Sequence, residues 1–130
     1  MKQWVQRAVV ALIVVILTSL GGFVAWAETA AGPQPAAQAA LQSTAQVAVT
    51  QEPWLVFEPA GQQPSTGLIF YPGGRVRAEA YAAPAQQIAA QGFLVVIVPM
   101  PLNLAVLAPD RADAVLAAYP GIRHWVIGGH

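Results

Sequence analysis

A run of 20 uncharged residues, Ala8 to Ala27, constrains this chain more than any other feature. As a helix with a rise of about 1.5 Å per residue, the run is long enough to cross a hydrocarbon core of about 30 Å. No polar face interrupts it, which argues against a buried helix of a soluble domain. Residues 1–27 are therefore predicted to be a transmembrane anchor or a signal peptide, and the membrane is the first expected partner.

The charges that flank this run predict its orientation. Lys2 and Arg7 precede it and Glu28 follows it, so the positive-inside rule places the N-terminus in the cytoplasm and the later residues outside. The tripeptide AWA at residues 25–27 has the small-x-small pattern of a signal-peptidase site, although the apolar run exceeds the usual length of about 7–15 residues. We expect a membrane-anchored protein with an extracytoplasmic domain, which would be secreted if cleavage followed Ala27.

The rest of the chain divides into a predicted tether and a predicted globular unit. Residues 28–46 are dominated by Ala, Gln and Pro and have no aromatic residue to start a core, which is typical of a tether. All segments that are predicted below to be strands lie within residues 47–130. They are predicted to form the N-terminal part of one α/β domain.

Composition excludes several classes of function. The formal net charge is zero and the six Lys and Arg residues are scattered, so the basic stripe of a nucleic-acid-binding protein is missing. There is no cysteine, which excludes disulfides, thiolate metal sites and a cysteine nucleophile. With only two histidines, a metal site has little support. We expect no metal, no cofactor and no nucleic-acid partner.

Short apolar runs alternate with helical patterns along the globular unit. Strands are predicted at Trp54–Phe57, Gly67–Tyr71, Phe93–Val98 and His124–Ile127, with helices from Pro84 towards Gly92 and over Asp110–Tyr119, and a short helical turn within Asn103–Ala108. The run at 93–98 lacks polar alternation, which is typical of a parallel strand buried on both faces. The alternation predicts βαβ crossovers and a parallel sheet.

The last predicted strand leads into Gly128-Gly129-His130. A G-x-S-x-G elbow carries the nucleophile of α/β-hydrolases between a strand and a helix, and Gly129 and His130 fit its first two positions. A dinucleotide-binding loop that starts at Gly128 is an alternative from another class. That alternative requires a G-x-G-x-x-G run and a following helix, and its loop normally opens after the first strand of the domain.

Four segments between Gly67 and His130 strengthen the first interpretation. They are LIFYPGG, a helix ending in QGF, VVIVPMPLNLAVL and WVIGGH, in this order. Together they resemble the bacterial α/β-hydrolase fold-5 family over about half of the chain. The resemblance implies a partial parallel-sheet α/β-hydrolase fold, truncated after the strand that leads to the nucleophile elbow. It also implies that the complete protein is a serine hydrolase acting on a small-molecule ester or other acyl substrate.

The resemblance implies roles for two groups of residues. Gly73 and Gly74 match the family's oxyanion loop, where a backbone N–H stabilises the tetrahedral intermediate, although an ordinary turn is the alternative for this pair. Gly128, Gly129 and His130 match the flank of the nucleophile elbow. His130 would then precede the nucleophile and would not be the base of the triad, because the chain order in this fold is Ser, then Asp or Glu, then His.

A complete triad is not expected in these 130 residues. Ser19 lies in the apolar run, Ser43 in the tether and Ser65 in a predicted loop, so none is a candidate nucleophile. All carboxylates precede the elbow, and Asp110 and Asp113 are expected to serve the first turn of a helix. We expect no catalytic residue in this chain and no activity from it alone. A non-catalytic, membrane-tethered remnant or binding module is the alternative function.

Overall fold

A five-stranded mixed sheet organises the globular unit in the computed structural model, which describes residues 2–130. The strands are β1 (Val47–Thr50), β2 (Leu55–Pro59), β3 (Thr66–Tyr71), β4 (Leu94–Ile97) and β5 (His124–Gly129), in the spatial order β1-β2-β4-β3-β5. β3 is parallel to β4 and β5, whereas β2 is antiparallel to β1 and β4. The prediction of a parallel sheet is confirmed for three strands, and the sheet as a whole is mixed.

The antiparallel part begins with a hairpin that the sequence pattern did not indicate. Residues 51–54 join β1 to β2, and so short a connection permits antiparallel pairing but not a parallel crossover. Val47 of β1 is buried in the core beside Phe57 of β2. The four residues of β1 follow the alanine- and glutamine-rich segment and are too few to give a clear alternation.

Within residues 2–130, four helices and three short 3-10 turns accompany the sheet. The helices are α1 (Lys2–Glu28), α2 (Pro35–Ala39), α3 (Ala82–Ala89) and α4 (Ala112–Ala118), and the 3-10 turns are Ala78–Tyr81, Pro101–Asn103 and Ala105–Leu107. Pro84 lies in the first turn of α3, where its missing N–H lacks an intrahelical partner in any case. Gly92 follows the helix with a φ of 99°, a conformation that glycine adopts easily. The predicted helix between Pro84 and Gly92 is confirmed.

The burial of β4 explains its continuous apolar sequence. Leu94, Val95, Val96 and Ile97 are each at most 1% exposed. Val95 and Ile97 belong to the core on the α3 side, and Leu94 and Val96 belong to the core on the α4 side. The prediction of a strand buried on both faces is confirmed.

β3 lies between β4 and β5 and is the point where the chain changes direction across the sheet. From β3 the chain passes through α3 to β4 on one side, and then through α4 to β5 on the other side. α3 and α4 pack against opposite faces of the sheet. Open α/β sheets bind ligands outside the carboxyl ends of the strands at such a switch point. The ends of β3 and β5 therefore mark the place for a site.

Residues 28–46 do more than separate the globular unit from α1. Within this segment, α2 packs against α3, and Ala37 and Ala40 are 4% and 6% exposed. The Gln86 side chain donates hydrogen bonds to the carbonyls of Ala40 and Gln42, at 3.1 and 2.9 Å. Small alanine side chains allow this close approach without the large apolar residues that mark a core segment in a sequence.

α1 is long and apolar enough to cross a membrane, a property that it shares with signal sequences. Its large apolar side chains are exposed along its length, and the buried residue of the helix is Ala27, near its C-terminal end. A helix that exposes apolar side chains on all sides is stable in lipid and unfavourable in water. This result supports the prediction of a membrane or signal helix in its general form.

β5 forms the edge of the sheet beside β3. Val126 and Ile127, which point to opposite faces because side chains alternate along a strand, are each 57% exposed. Trp125 packs against Tyr119 after α4, with the two ring centroids 6.4 Å apart. The strand is therefore held through Trp125 and its pairing with β3, while the two neighbouring apolar side chains face outward.

Candidate functional site

Three segments meet at the carboxyl edge of the sheet, where β3, β4 and β5 end. The loop after β3 contacts the loop after β4, because the Arg75 N–H donates to the Asn103 carbonyl at 2.9 Å. At the end of β5, the His130 N–H donates to the Tyr71 carbonyl at 3.2 Å and extends the pairing with β3. The structure thus brings the predicted oxyanion loop and the predicted elbow flank together.

The two glycines of the loop after β3 differ in what their N–H groups do. Gly73 is buried, and its N–H donates to the Tyr81 hydroxyl oxygen at 3.1 Å. Gly74 is exposed, and its N–H donates to no acceptor within residues 2–130. An oxyanion needs a donor that is not already used by the protein. Gly74 therefore presents the available N–H, and Gly73 shapes the loop behind it.

Close contacts explain why glycine occupies two of these positions. A Cβ atom on Gly73 would lie 2.6 Å from His130 Nδ1 and 3.1 Å from the Tyr81 hydroxyl oxygen. A Cβ atom on Gly129 would lie 3.0 Å from the Tyr71 carbonyl oxygen, a backbone atom that cannot rotate away. Gly128 is less restricted, since the nearest atom to its added Cβ is Leu68 Cδ1 at 3.9 Å. The tight approach at Gly129 is the feature expected for the first glycine of an elbow.

Tyr81 joins the two predicted parts of the site, although the sequence pattern indicated no role for it. Its hydroxyl oxygen lies 3.0 Å from His130 Nδ1, and its ring packs on Phe70 with centroids 4.8 Å apart. Because the oxygen already accepts the Gly73 N–H, its own proton is available to Nδ1, which favours a His130 protonated on Nε2. No local sequence signal indicated this contact, which joins residues 49 positions apart.

Left-handed backbone is concentrated in the same two loops. Arg75, Leu102 and Asn103 have φ values of 57°, 51° and 54°. Such values are uncommon for residues with a side chain, cost about 1–3 kcal/mol each and occur often at functional sites. The hydrogen bond between the Arg75 N–H and the Asn103 carbonyl holds the two turns together. The carboxyl edge is therefore the strained part of this fold.

The serines and carboxylates lie away from this edge or face outward. Ser43 Oγ accepts the Val49 N–H at 2.9 Å, Ser65 precedes β3 at the opposite edge, and Ser19 lies in α1. Asp113 is in the first turn of α4, as predicted, whereas the same prediction for Asp110 is wrong because this residue precedes the N-cap, Arg111. Across residues 2–130, no histidine side chain is hydrogen-bonded to a serine or a carboxylate, and His, Asp and Glu residues form no group of three suited to a metal ion.

Comparison with known proteins identifies the family of the segment that carries this edge. Residues 67–130 match the sequence model of the Alpha/beta hydrolase family. The family resemblance is confirmed. The match begins in β3 and reaches His130, so it includes the Gly73–Gly74 loop, Tyr81 and the end of β5. No curated protein and no solved structure shows a significant match to the chain.

Proposed function

We propose that this chain is the N-terminal part of a membrane-anchored serine hydrolase that acts on an ester or other acyl substrate. The main support is the meeting of the Gly73–Gly74 loop with Gly129 and His130 at the carboxyl edge, inside the segment that matches the alpha/beta hydrolase family. In the complete protein, the residue after His130 is the nucleophile serine. Because β5 lies beside β3 and both strands end at the same edge of the sheet, we expect this serine to lie near the loop that carries Gly74.

The proposed reaction is acyl transfer in two steps. The serine oxygen attacks the ester carbonyl carbon while the catalytic histidine takes the serine proton, and the carbonyl oxygen becomes an oxyanion that accepts a hydrogen bond from the Gly74 N–H. The carbon–oxygen bond to the alcohol breaks, the alcohol leaves with a proton from the catalytic histidine, and an acyl-enzyme remains. Water then attacks the acyl-enzyme and releases the acid. The catalytic acid and histidine follow the serine in the chain order of this fold, and therefore come after residue 130.

The membrane anchor of this proposal is α1, retained after translocation with the globular unit on the outer side. Lys2 and Arg7 precede the apolar run, which favours a cytoplasmic N-terminus. Ala27, where a signal peptidase would cut, is 0% exposed, and its carbonyl accepts a hydrogen bond from Asn103 Nδ2 at 3.4 Å. The folded structure thus buries the residue on the N-terminal side of this peptide bond.

Fractionation of cells that express a C-terminally tagged chain tests the anchor. The expected result is a tagged protein of full length in the membrane fraction that resists extraction by carbonate and is digested by protease added outside the cytoplasmic membrane. A tag in the soluble cytoplasmic fraction contradicts both the anchor and the orientation. A shortened, secreted product contradicts retention of α1 but leaves the outer location intact.

A fusion tests the hydrolase. Residues 1–130 are joined to the second half of an alpha/beta hydrolase, starting at its nucleophile serine. Because the fusion restores the nucleophile, acid and base next to Gly74, we expect hydrolysis of p-nitrophenyl acetate, which is lost when the serine is replaced by alanine. An inactive fusion that nevertheless unfolds cooperatively contradicts the proposal. Hydrolysis above the buffer rate by residues 1–130 alone contradicts the assignment of the nucleophile.

A non-catalytic membrane-tethered module is the second candidate function. It is favoured by one observation within residues 2–130, namely that no histidine side chain is hydrogen-bonded to a serine or a carboxylate. The inactive outcome of the fusion experiment is the result expected for this candidate.

A further inference from the structure

The C-terminal end of α1 is attached to the candidate site by side chains of the two site loops. Arg75, next to Gly74, donates from Nε to the Trp26 carbonyl at 3.1 Å, and its guanidinium lies 4.5 Å from the centroid of the Trp26 ring. The same guanidinium donates to the Thr29 carbonyl at 3.0 Å and to the Thr29 hydroxyl at 2.8 Å. From the loop after β4, Asn103 donates to the Ala27 carbonyl.

The backbone that follows α1 is attached at the same place. The Ala31 N–H donates to the Arg75 carbonyl at 2.8 Å, and the Arg77 N–H donates to the Ala31 carbonyl at 2.9 Å. These bonds form an isolated parallel bridge between Ala31 and Val76. The helix end and the loop that carries Gly74 are thus joined by backbone and side-chain bonds, which leaves little freedom for the site to turn away from α1.

The position of tryptophan in α1 places this attachment at a membrane surface. Trp4 and Trp26 are 74% and 48% exposed, and at a rise of about 1.5 Å per residue they lie about 33 Å apart along the helix. Tryptophan is enriched at both interfaces of a bilayer, whose hydrocarbon core is about 30 Å thick. With Trp26 at the outer interface, Arg75 lies at the level of the lipid headgroups.

An exposed apolar loop lies beside the attachment. Val106 and Leu107 are 79% and 51% exposed, and they follow Asn103 in the same loop after β4. Leu104 of this loop approaches Gly74, since its Cδ2 atom lies 3.8 Å from the position of a Cβ on that glycine. Apolar side chains at an interface gain free energy by leaving water for the boundary of the acyl chains. A lipid surface is therefore the occupant that suits this loop.

We propose that the carboxyl edge of the sheet faces the bilayer that contains α1, and that the substrate is the acyl ester of a membrane lipid, which enters the site from the outer interface. The proposal rests on the proposed hydrolase function and on α1 as the anchor. The oxyanion donor Gly74 then lies between the helix end and the apolar loop, close to the depth at which the ester carbonyls of lipids are found. A water-soluble ester would reach the site from solution and would not require the site to face the bilayer.

Depth-dependent quenching tests the orientation on the full 130-residue chain. The chain has no cysteine, so single-cysteine variants Val106→Cys and Gln63→Cys can be labelled with bimane after reconstitution into phosphatidylcholine vesicles. Both positions are exposed, but Gln63 precedes β3 at the opposite edge of the sheet. Nitroxide-labelled lipids are expected to quench the label at position 106 strongly and the label at position 63 weakly. Equal quenching at both positions, with the protein still bound to vesicles, overturns the proposal.

Removal of the attachment between α1 and the site loops provides a second test of the orientation. In the Val106→Cys background, Arg75→Ala is expected to lower the quenching towards that of position 63, because the helix end loses its main side-chain contacts. Asn103→Gly, which removes the side-chain bond to the Ala27 carbonyl and tolerates the positive φ at this position, is expected to have a smaller effect and serves if Arg75→Ala fails to fold by circular dichroism. Unchanged quenching in folded variants of both residues shows that the attachment does not orient the site. This outcome overturns the inferred role of Arg75 and Asn103 in holding the site at the membrane.

Substrate class is tested with two esters on the fusion described above, bound to vesicles through α1. One is p-nitrophenyl acetate in solution, and the other is a phosphatidylcholine with a fluorescent acyl chain in vesicles. We expect hydrolysis of both, and we expect Val106→Asp to reduce only the hydrolysis in vesicles, whereas the matched control Gln63→Asp reduces neither. Hydrolysis of the soluble ester alone overturns the lipid substrate but retains the hydrolase. Hydrolysis of neither ester overturns the proposed function itself, and the quenching result still reports the orientation.

Discussion

The hydroxyl oxygen of Tyr81 lies 3.0 Å from Nδ1 of His130 and so connects two segments that are 49 residues apart in the sequence. The same oxygen accepts the N–H of Gly73 at 3.1 Å. The loop after β3, the start of α3 and the end of β5 are therefore linked through a single phenol group. We interpret Tyr81 as a positioning residue that holds the buried glycine of the loop and leaves the N–H of its neighbour Gly74 available.

Replacement of Tyr81 by Phe tests this interpretation. The change removes the acceptor of the Gly73 N–H and the partner of His130 Nδ1, while the ring contact with Phe70 is retained. We expect faster hydrogen exchange at the Gly73 amide, a changed tautomer ratio of His130 in nitrogen NMR spectra, and a loss of about 1 kcal/mol of stability.

The matched control for this change is Tyr71→Phe. The Tyr71 hydroxyl accepts the Ala112 N–H and donates to the Pro109 carbonyl, and it makes no contact with His130. The control should destabilise the start of α4 and leave the His130 tautomer unchanged. An identical change in the His130 spectrum of both variants would show that the phenol of Tyr81 has no specific role.

Alanine at the two adjacent glycines should have unequal effects. A Cβ at position 73 meets His130 and Tyr81 at short distances, whereas the nearest atom to a Cβ at position 74 is Leu104 Cδ2 at 3.8 Å. Gly73→Ala is therefore expected to break the contact between His130 and Tyr81, and to lower stability by about 1–3 kcal/mol unless His130 rotates away. Gly74→Ala should leave the contact between His130 and Tyr81 and the stability unchanged. Chemical denaturation and the His130 NMR signals measure the difference, and equal tolerance at both positions contradicts the packing described for Gly73.

The buried strand and the glycine-rich turns were predictable because their causes are local. β4 is apolar throughout because both its faces are covered, and this requirement is visible in six consecutive residues, Phe93 to Val98. Gly73 and Gly74 follow the end of β3, and Gly128 and Gly129 are the last residues of β5, so their place at one edge followed from the order of strands and helices. Their roles in catalysis stay a prediction.

The missed features depend on contacts between distant parts of the chain. Tyr81 directly precedes α3, and nothing in its neighbourhood indicated that its hydroxyl would contact His130. Arg75 was one of six scattered cations, and its contact with Trp26 spans 49 residues. Ala37 and Ala40 are buried because α3 is close, and alanine gives no strong signal in a hydropathy pattern. Such side chains become interpretable only when the tertiary structure is known.

Gly67→Ala should loosen β5 from the sheet. Gly67 lies in β3 opposite Trp125 of β5, and a Cβ at position 67 would overlap the indole, with two of the ring carbons at 2.7 and 2.9 Å. Trp125 would have to leave its contact with Tyr119, and we expect a loss of about 1–3 kcal/mol, as is usual for overpacking. Gly128→Ala is the control, because its added Cβ meets only Leu68 Cδ1 at 3.9 Å. Urea denaturation measures both, and equal midpoints for the two variants contradict this packing.

Stability should fall at alkaline pH through Tyr119, which lies between Trp54 and Trp125. Burial raises the pKa of the Tyr119 hydroxyl, and the negative charge of Glu58 raises this pKa further. The unfolded chain has a tyrosine of ordinary pKa, about 10. Above that pH the unfolded state loses the proton first, so the stabilising contribution is complete below about pH 10 and is lost as the pH rises through the pKa of the folded state. Thermal unfolding of the full chain in detergent, followed by circular dichroism from pH 8 upward, measures this loss.

Two variants separate the causes of this alkaline loss. Tyr119→Phe removes the ionising group and should flatten the decline above about pH 10, with some stability retained because the aromatic contacts with Trp54 and Trp125 persist. Glu58→Gln removes only the smaller of the two causes and should reduce the decline without abolishing it. If Tyr119→Phe declines as steeply as the unchanged chain, the alkaline transition belongs to another group. If Glu58→Gln removes the whole effect, the charge of Glu58 and not the burial of the ring controls the pKa of Tyr119.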